Sequence, residues 1–159
     1  MAQKLPPLRF VRSVLKSFMA ESGLEPRVTN AVAGRVDFEL DIAKDHTNRL
    51  KILHGGTIAS MVDLGGSLAV ASMGLYATGV STDLNVTYLS GGGKVGDKIS
   101  ATAVCDKMGK TLAYTSVTFR NVKGELAARG SHTKYVTQAW KAQETPFTTP
   151  EGAEIKEEK

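Results

Sequence analysis

The sequence contains a single cysteine, Cys105, and no long apolar run. One cysteine cannot form an intrachain disulfide, so nothing in the sequence indicates an oxidising compartment. A membrane-spanning helix needs about 18 or more consecutive apolar residues, and neither such a stretch nor an apolar signal core is present. These absences predict a protein without a membrane span that works in the cytoplasm or the mitochondrial matrix.

Several familiar catalytic and metal-binding patterns are also absent. Without a Gly-x-Ser-x-Gly elbow, a serine nucleophile has little support. The glycine-rich run at 90–94 lacks the spacing of a nucleotide phosphate loop and precedes a predicted strand rather than a helix. His46, His54 and His132 have neither close pairing on one helix nor cysteine partners, so we predict no metal and no separate cofactor.

The net charge is +4 and the pI is near 9.2, which suits an anionic partner. Basic residues are not clustered with interleaved aromatic side chains, which weakens a nucleic-acid-binding interpretation. The N-terminal stretch has basic residues and no acid before Glu21, as a mitochondrial transit peptide would. Apolar residues recur there at helical spacing, however, and favour an amphipathic helix packed on the domain. They are Leu8, Val11, Leu15, Phe18 and Met19.

The chain has 159 residues, of which 42% are hydrophobic and 23% charged, as expected for one globular domain. Alternating apolar residues at 36–42 predict a strand, and apolar residues on all sides of 55–73 predict a buried helix. Four further extended runs with short connections predict an antiparallel meander. They lie near 80–89, 98–106, 112–121 and 125–137. We therefore predict an α+β fold in which an antiparallel sheet of about five strands wraps around a central helix.

The C-terminal part of the sequence has a different character. From about Ala139 the chain loses its periodicity and becomes rich in Pro, Thr, Glu and Lys. This change predicts a domain of residues 1–138 followed by a mobile tail of residues 139–159.

Asp63 is the most informative residue because it lies in the middle of the helix that should be buried. An ionised carboxylate is costly to bury without partners, so Asp63 would meet hydrogen-bond donors or line a pocket that contains water. Such a carboxylate is a candidate general base. The alternative is an ordinary aspartate on a solvated helix face.

Leu53-His54-Gly55-Gly56 lies at the start of the same helix. The first N–H groups of a helix have no intrahelical partners, and the helix dipole favours negative charge there. The segment therefore predicts an oxyanion site, and its glycines would let a substrate carbonyl approach the backbone. Alternatively, the two glycines form only a turn and His54 is structural.

Polar residues alternate along the next predicted strand. Ser81, Asp83 and Asn85 would share one face, which lines a cleft or faces solvent. Asn48, in the loop before His54, offers an amide donor and acceptor, although asparagine in a loop commonly serves turn formation.

Six short segments occur in a distinctive order along the chain. They are Asp45-His46-Thr47-Asn48, Leu53-His54-Gly55-Gly56, Asp63, Ser81-x-Asp83-x-Asn85-x-x-Tyr88, Gly109-Lys110-Thr111-Leu112-Ala113 and His132-Thr133-Lys134. Together, over roughly residues 11–136, they resemble acyl-CoA thioesterases of the thioesterase-superfamily-member-2 type. A more distant resemblance is to bacterial phenylacetyl-CoA and hydroxybenzoyl-CoA thioesterases. The triplet at 91–93 and the tail beyond Val136 depart from the family pattern.

The resemblance implies a hot-dog fold, a homodimer whose sheets join edge to edge, a homotetramer, and an active site shared between subunits. It implies that the Gly55 N–H holds the thioester oxygen and that Asp63 acts as general base or nucleophile. Ser81 would position the water, and Asn48 and His54 would orient the carbonyl or the water. The implied coenzyme A contacts are Gly56, Asp83, Tyr88, Leu89, Ser90, Gly91, Gly92, Lys107, Met108, Gly109, Lys110, Thr111, Leu112 and, near the phosphates, Lys134 or Tyr135.

The implied reaction is hydrolysis of a medium- or long-chain fatty acyl-CoA, in which coenzyme A is part of the substrate. One alternative is a hot-dog hydratase or dehydratase, for which the sequence offers no evident His-plus-acid pair. Another is a non-catalytic acyl-CoA-binding protein, which would not need a buried acid.

Overall fold

The computed structural model describes residues 3–153 and residue 155, without the side chains of Ala20 and Glu21. Helices and strands follow in the order α1 (Pro7–Ser22), β1 (Arg27–Val32), β2 (Arg35–Asp41), α2 (Gly55–Ala71), β3 (Val80–Tyr88), β4 (Lys98–Met108), β5 (Leu112–Arg120), β6 (Leu126–Tyr135) and α3 (Thr137–Ala142). Within these described residues, none of the helices combines the length and apolar character that crossing a bilayer requires.

The strands form one antiparallel six-stranded sheet in the order β1-β2-β4-β5-β6-β3. The helix α2 packs against β2 through β6, and its residues Met61, Val62 and Leu68 are completely buried. Because apolar residues surround α2 on most sides, the sheet buries it by curving around it. The prediction of an antiparallel sheet around a central helix is confirmed.

Glycines in α2 allow the strands to approach the helix closely. A Cβ at Gly65 would lie 3.0 Å from both the Phe38 ring on β2 and a Val117 methyl group on β5. Such a contact is tighter than ordinary van der Waals packing, so any side chain there would push the sheet away. The α2 sequence is therefore matched to a sheet that wraps tightly around it.

The predicted four-strand meander is wrong for β3. This strand pairs with β6 at the edge of the sheet, and residues 89–97 carry the chain from it to the far side of β5. That connection is held by the loop before α2, because the Leu53 N–H donates to Gly93 O at 2.8 Å. The short spacing between β3 and β4 therefore did not indicate that they are neighbours.

The strand β1 was not predicted from the sequence. The register between β1 and β2 shifts between Val28 and Asn30, and this irregularity interrupts the alternation that identifies a strand in sequence.

The prediction of an amphipathic N-terminal helix is confirmed by α1. This helix packs on the domain as expected, with Phe10 and Val14 fully buried. Its Arg12 guanidinium donates to Val28 O at 3.0 and 3.1 Å, which fixes α1 against β1.

The predicted tail begins with residues that pack on the domain. Ala139 on α3 is buried, and the Phe147 ring lies 5.4 Å from the Phe10 ring on α1. The Leu5 N–H donates to Phe147 O at 2.9 Å. The expectation of a mobile tail is therefore wrong for residues 139–149. Single contacts, such as those of Ala139 and Phe147, hold this segment on the domain although its sequence has no periodicity. Residues 154 and 156–159 of the predicted tail lie outside the described residues.

Candidate active site

Asp63 on α2, Ser81 on β3 and His132 on β6 meet at one end of the sheet. Ser81 Oγ lies 3.3 Å from Asp63 Oδ1 and 2.6 Å from His132 Nε2. The same His132 nitrogen lies 3.3 Å from Asp63 Oδ1. The Ser81 hydroxyl therefore lies between the carboxylate and the imidazole, and both contact it.

The hydrogens in this cluster follow from what each group can donate. A carboxylate only accepts, and a serine hydroxyl has one hydrogen to give. Both hydrogen bonds of Ser81 are satisfied when His132 donates its Nε2–H to Ser81 Oγ and Ser81 donates to Asp63. The other ring nitrogen, Nδ1, is buried and makes no hydrogen bond within the described part of the chain. A neutral imidazole protonated at Nε2 fits this environment.

The electrostatic surroundings also favour a neutral imidazole. Burial lowers the pKa of His132 below its ordinary value of 6.5, and the nearby Lys134 charge lowers it further. The charges of Asp63 and Asp83 oppose this effect without overcoming it. His132 therefore acts as a hydrogen-bond donor to Ser81 rather than as a cation paired with Asp63.

Asp63 is more exposed than the apolar pattern of α2 predicted. Its side chain is 60% exposed, whereas that of His132 is 0% exposed. The reason is that Asp63 faces β3, the edge strand, beyond which the sheet ends. Asp63 therefore combines features of both interpretations of the sequence. Its carboxylate is open to solvent, as on a solvated helix face, and it also contacts two polar side chains, as a buried carboxylate would.

Gly66 makes room for His132 beneath the helix. A Cβ at Gly66 would collide with His132 Nδ1 and lie 2.7 Å from Thr115 Oγ1. The Thr115 hydroxyl in turn donates to His132 O at 2.6 Å. The sequence pattern indicated no role for His132, although Gly66, one helical turn after Asp63, was a signal that another group approaches the helix there.

The second part of the candidate site lies at the start of α2. His54 caps the helix, because its Nδ1 accepts from the Gly56 N–H at 2.7 Å. The Gly55 N–H makes no hydrogen bond within residues 3–153. This group is therefore available to donate to a ligand oxygen, and its role as an oxyanion donor stays a prediction. His54 itself has the structural role that was the alternative.

Tyr88 and Asn48 shape this end of the helix. The Tyr88 hydroxyl donates to Gly55 O at 2.6 Å, and a Cβ at Gly55 would lie 3.2 Å from the tyrosine ring. Asn48 Oδ1 accepts from the Leu50 and Ile52 N–H groups at 2.9 and 3.3 Å. Asn48 thus stabilises the turn before α2, which is the turn chemistry that the sequence left open.

The expectation that Ser81, Asp83 and Asn85 share a face is wrong. The register between β3 and β6 shifts between Ser81 and Asp83, so the alternation restarts after a bulge. Ser81 faces the helix with Leu84, Val86 and Tyr88. Asn85 lies on the other face, where its Nδ2 donates to Ser131 Oγ at 2.5 Å.

Lys134 does not have the exposed position expected of a phosphate ligand. The residue is only 4% exposed, and Nζ donates to Ser67 Oγ at 2.5 Å and to Thr78 Oγ1 at 3.1 Å. Burial lowers the pKa of Lys134 to about 8. Its side chain therefore belongs to the interior, while the neighbouring Tyr135 is exposed on the other face.

The two segments expected to contact coenzyme A lie at opposite ends of the chain's sheet. Residues 88–92 adjoin Gly55, because Tyr88 contacts Gly55 and Gly92 packs against Leu53. Residues 107–112 lie at the Asp63 end, since Ala113 and Ser81 both pair with Lys134. One chain therefore does not bring these segments together.

Comparisons with known proteins assign the family. Residues 50–128 match the family model described as thioesterase superfamily. The chain is 46% identical over 138 residues to a putative esterase of Schizosaccharomyces pombe, covering 83% of this chain and 86% of that protein. The chain belongs to the thioesterase superfamily.

Two further members of the thioesterase superfamily extend this result. Human acyl-coenzyme A thioesterase 13 is 42% identical over 110 residues, which cover 69% of this chain and 78% of the human protein. The crystal structure of zebrafish thioesterase superfamily member 2 is 35% identical and covers 82% of this chain and 98% of its own, with a TM-score of 0.74. The predicted hot-dog fold is confirmed.

Proposed function

We propose that this chain hydrolyses medium- or long-chain fatty acyl-CoA to the free acid and coenzyme A. The observation that carries the proposal is a solvent-accessible carboxylate, Asp63, which accepts a hydrogen bond from Ser81, itself hydrogen-bonded to His132. The Gly55 N–H at a helix N-terminus, which has no partner among the described residues, supplies the complementary oxyanion donor. The similarity to a protein named acyl-coenzyme A thioesterase supports the substrate class.

The chemistry assigns one task to each group. Asp63 takes a proton from water as the water oxygen attacks the thioester carbonyl carbon. The Gly55 N–H and the helix dipole stabilise the negative oxygen of the tetrahedral intermediate. When the intermediate collapses, the C–S bond breaks and Asp63 returns the proton to the leaving sulfur. Ser81 keeps the carboxylate oriented toward the water.

These groups do not form a single site within one chain. Gly55 and Asp63 are eight residues apart on α2, a rise of roughly 12 Å. That separation is too large for one carbonyl and its attacking water. We therefore infer that the complete site combines Gly55 of one subunit with Asp63 of another.

The edge strand β3 is the surface that supports this assembly. It is an edge of the sheet, and nearly all of its residues are exposed. Among them are the apolar side chains of Val80, Leu84 and Tyr88. A long exposed strand with apolar side chains is a template for pairing with another strand. A second copy of β3 would extend the sheet across a two-fold axis.

The contacts of β3 determine what such pairing would bring together. Ser81 near its start contacts Asp63, and Tyr88 at its end contacts Gly55. Antiparallel pairing about the middle of β3 places Tyr88 of the partner subunit opposite Ser81. Gly55 of the partner subunit then lies beside Asp63. The same operation brings residues 88–92 of the partner subunit toward residues 107–112.

The surroundings of Gly55 favour an apolar acyl group. Four apolar side chains on the two loops that flank this residue are exposed in the chain, namely Leu50, Ile52, Leu89 and Val95. These loops are connected by the pairing of Ile52 with Lys94. A fatty acyl chain would cover such side chains, at about 0.8 kcal/mol for each buried methylene.

A His-plus-acid pair that is not evident in the sequence does exist in the fold, because His132 Nε2 lies 3.3 Å from Asp63 Oδ1. The imidazole is nevertheless completely buried behind Ser81 and has no exposure to solvent. A hydratase or dehydratase would need its second acid–base group exposed at the substrate. Hydrolysis therefore remains the better-supported reaction.

The test is a thiol-release assay across acyl-CoA chain lengths. We expect kcat/KM to rise from acetyl-CoA to medium and long chains, and Asp63→Asn to lower kcat by about 100-fold or more. Asp106→Asn removes another exposed carboxylate and should leave kcat unchanged. Water addition to enoyl-CoA without thiol release would instead identify a hydratase. Binding without turnover would identify an acyl-CoA-binding protein.

A further inference from the structure

Three tight turns lie at the end of the sheet where α2 begins. Residues 48–51 precede α2, residues 94–97 precede β4, and residues 121–124 connect β5 to β6. In each turn the N–H of the fourth residue donates to the carbonyl oxygen of the first at 2.9 Å. We refer to these three turns together as the turn surface.

The pairing of the strands brings the three turns next to one another. Ser100, near the start of β4, pairs with Arg120, at the end of β5, so the second and third turns extend from neighbouring strands. The first turn lies beside the second because Ile52 pairs with Lys94. Neighbouring strands are about 4.8 Å apart, so the three turns form one continuous surface.

Side-chain hydrogen bonds fix the shape of each turn. Asn48 Oδ1 accepts from the N–H groups two and four residues later, at 2.9 and 3.3 Å. Asn121 Oδ1 accepts from the corresponding N–H groups of its own turn at 3.0 and 3.1 Å. In the remaining turn, the Lys94 N–H donates to Asp97 Oδ2 at 3.1 Å. The turn surface is therefore shaped before any partner arrives, which reduces the entropy lost on docking.

Each of these turns carries an exposed aliphatic residue at a central position. Leu50 is 72% exposed, Val122 59% and Val95 48%. Tight turns favour small and polar residues, and a single exposed aliphatic residue needs no explanation. Three of them on adjacent tips form an apolar patch of the kind that marks an interaction site. The acyl group proposed above lies beside Leu50 and Val95 and leaves Val122 unexplained.

Basic residues surround these aliphatic tips. Arg49 and Lys51 flank Leu50, Lys94 precedes Val95 and Lys123 follows Val122, and all four cations are exposed. One acid, Asp97, belongs to the turn surface, and Glu125 follows its third turn. Lys51 has a φ of +63°, a region that favours glycine or asparagine, yet the position carries a long cation. The turn surface is therefore apolar at its tips and positively charged around them.

This combination matches an anionic lipid surface. Aliphatic side chains enter the region between headgroups and acyl chains, while lysine and arginine remain at the lipid phosphates. A nucleic acid would leave the aliphatic tips unused. A second copy of the same surface, related by a two-fold axis, would place like charges against each other.

We propose that the turn surface docks this protein on anionic lipid bilayers. Leu50, Val95 and Val122 enter the bilayer, and the neighbouring cations contact lipid phosphates. Docking presents the Gly55 end of the chain to the bilayer. The proposal goes beyond the proposed function and does not depend on it, because docking requires no catalysis.

The first measurement is sedimentation of the intact wild-type protein with lipid vesicles. We expect binding to vesicles of equimolar phosphatidylcholine and phosphatidylserine that weakens with added salt, and much weaker binding to phosphatidylcholine alone. Leu50→Ser and Val122→Ser should each lower the partition coefficient about five- to tenfold. Val32→Ser is the matched control, because Val32 is equally exposed at the opposite end of the sheet. Absence of binding to the anionic vesicles overturns the proposal.

Two triple variants with the same net charge locate the contribution of the cations. Replacing three lysines of the turn surface with glutamine should lower the partition coefficient about tenfold or more and remove most of its salt dependence. These changes are Lys51→Gln, Lys94→Gln and Lys123→Gln. Three exposed lysines at the opposite end of the sheet provide the control and should bind as wild type, namely Lys107→Gln, Lys110→Gln and Lys141→Gln. Equal losses in the two triple variants overturn the assignment to the turn surface.

A fluorescent label tests directly whether the turn surface enters the bilayer. The environment-sensitive dye NBD is attached to Leu50→Cys in a Cys105→Ser background, so that the label has one position. We expect a blue shift on anionic vesicles and quenching by nitroxide lipids, whereas a label on Val32→Cys should show neither. A sedimenting protein whose label at position 50 stays in water docks through another face, which overturns the proposal.

Light scattering without lipid distinguishes docking from a subunit contact. We expect Leu50→Ser and wild type to have the same molar mass. A lower mass for Leu50→Ser assigns the turn surface to a contact between copies of the chain and overturns the proposal. Thiol release is measured separately without vesicles, so a failure of docking and a failure of the proposed hydrolysis are distinguished.

Discussion

Ser81 and Asp83 are two residues apart on β3, yet they lie on opposite faces of the sheet. The bulge between them directs Ser81 toward Asp63 and His132, and it directs Asp83 away from α2. A residue-by-residue alternation would have placed both in the candidate site. Of these two residues, only Ser81 contacts the Asp63 carboxylate.

This difference predicts unequal effects of two conservative changes. Ser81→Ala removes a hydrogen bond to a charged group, and we expect kcat to fall roughly 10- to 100-fold. Asp83→Asn should leave kcat within about twofold of wild type, since only a weak charge effect on His132 is lost. Steady-state thiol release measures both. Equal losses in the two variants would contradict the assigned faces.

Lys134 predicts a pH-dependent contribution to stability. Its pKa is about 8 in the folded protein, compared with 10.5 for an ordinary lysine. Between these values the unfolded chain binds more protons, so the free energy of unfolding gains a term that rises with pH. The full gain is present above pH 10.5 and is lost as the pH falls through 8, at roughly 3 kcal/mol in total.

Comparison of wild type with Lys134→Met separates the contribution of Lys134 to the free energy of unfolding from the contributions of other titrating groups. Denaturant unfolding from pH 7 to 10.5 should show wild type gaining stability relative to this variant. Lys107→Met, which removes an exposed lysine, should give a constant difference from wild type. If the Lys134→Met difference is also independent of pH, the lysine is not desolvated as described.

Gly66 predicts a local packing effect. In Gly66→Ala the new methyl group would overlap His132 and Thr115, so we expect a loss of about 1–3 kcal/mol in the free energy of unfolding. The displaced imidazole should also lower kcat. Gly91→Ala is the matched control, since a Cβ there has no atom within 4 Å. Thermal unfolding that ranks the two variants equally would contradict the close approach.

The sequence predicted the elements with regular periods and missed those with interruptions. The apolar residues around α2 and the alternating strands were sufficient to place Asp63 and Gly55 on one helix inside a sheet. Bulges at Val28 and after Ser81 shift the alternation by one residue, so β1 and the face of Asp83 were not recovered. A period-two pattern carries no information about where such shifts occur.

The polar inner face of β6 explains why His132 and Lys134 were misjudged. These residues alternate correctly for one face of a strand, but that face packs against α2 rather than facing solvent. Patterning treats polar residues as exposed, and their burial depends on partners that are distant in sequence. Ser67, Thr78 and Ser81 supply those partners.

The central claim is that two subunits complete one hydrolytic site, and mixed dimers test it most directly. Asp63→Ala removes the base, and Gly55→Pro removes the oxyanion N–H at a helix position where proline is tolerated. Gly55→Ala is the control, because it adds a similar contact with Tyr88 but keeps the N–H.

Each inactive variant is purified, and the two are mixed under conditions that allow subunit exchange. Every dimer that combines them contains one site with both intact halves. Thiol release should therefore reappear on mixing, approaching one intact site per mixed dimer. If mass spectrometry verifies mixed dimers of folded subunits and they release no thiol, the shared site is contradicted.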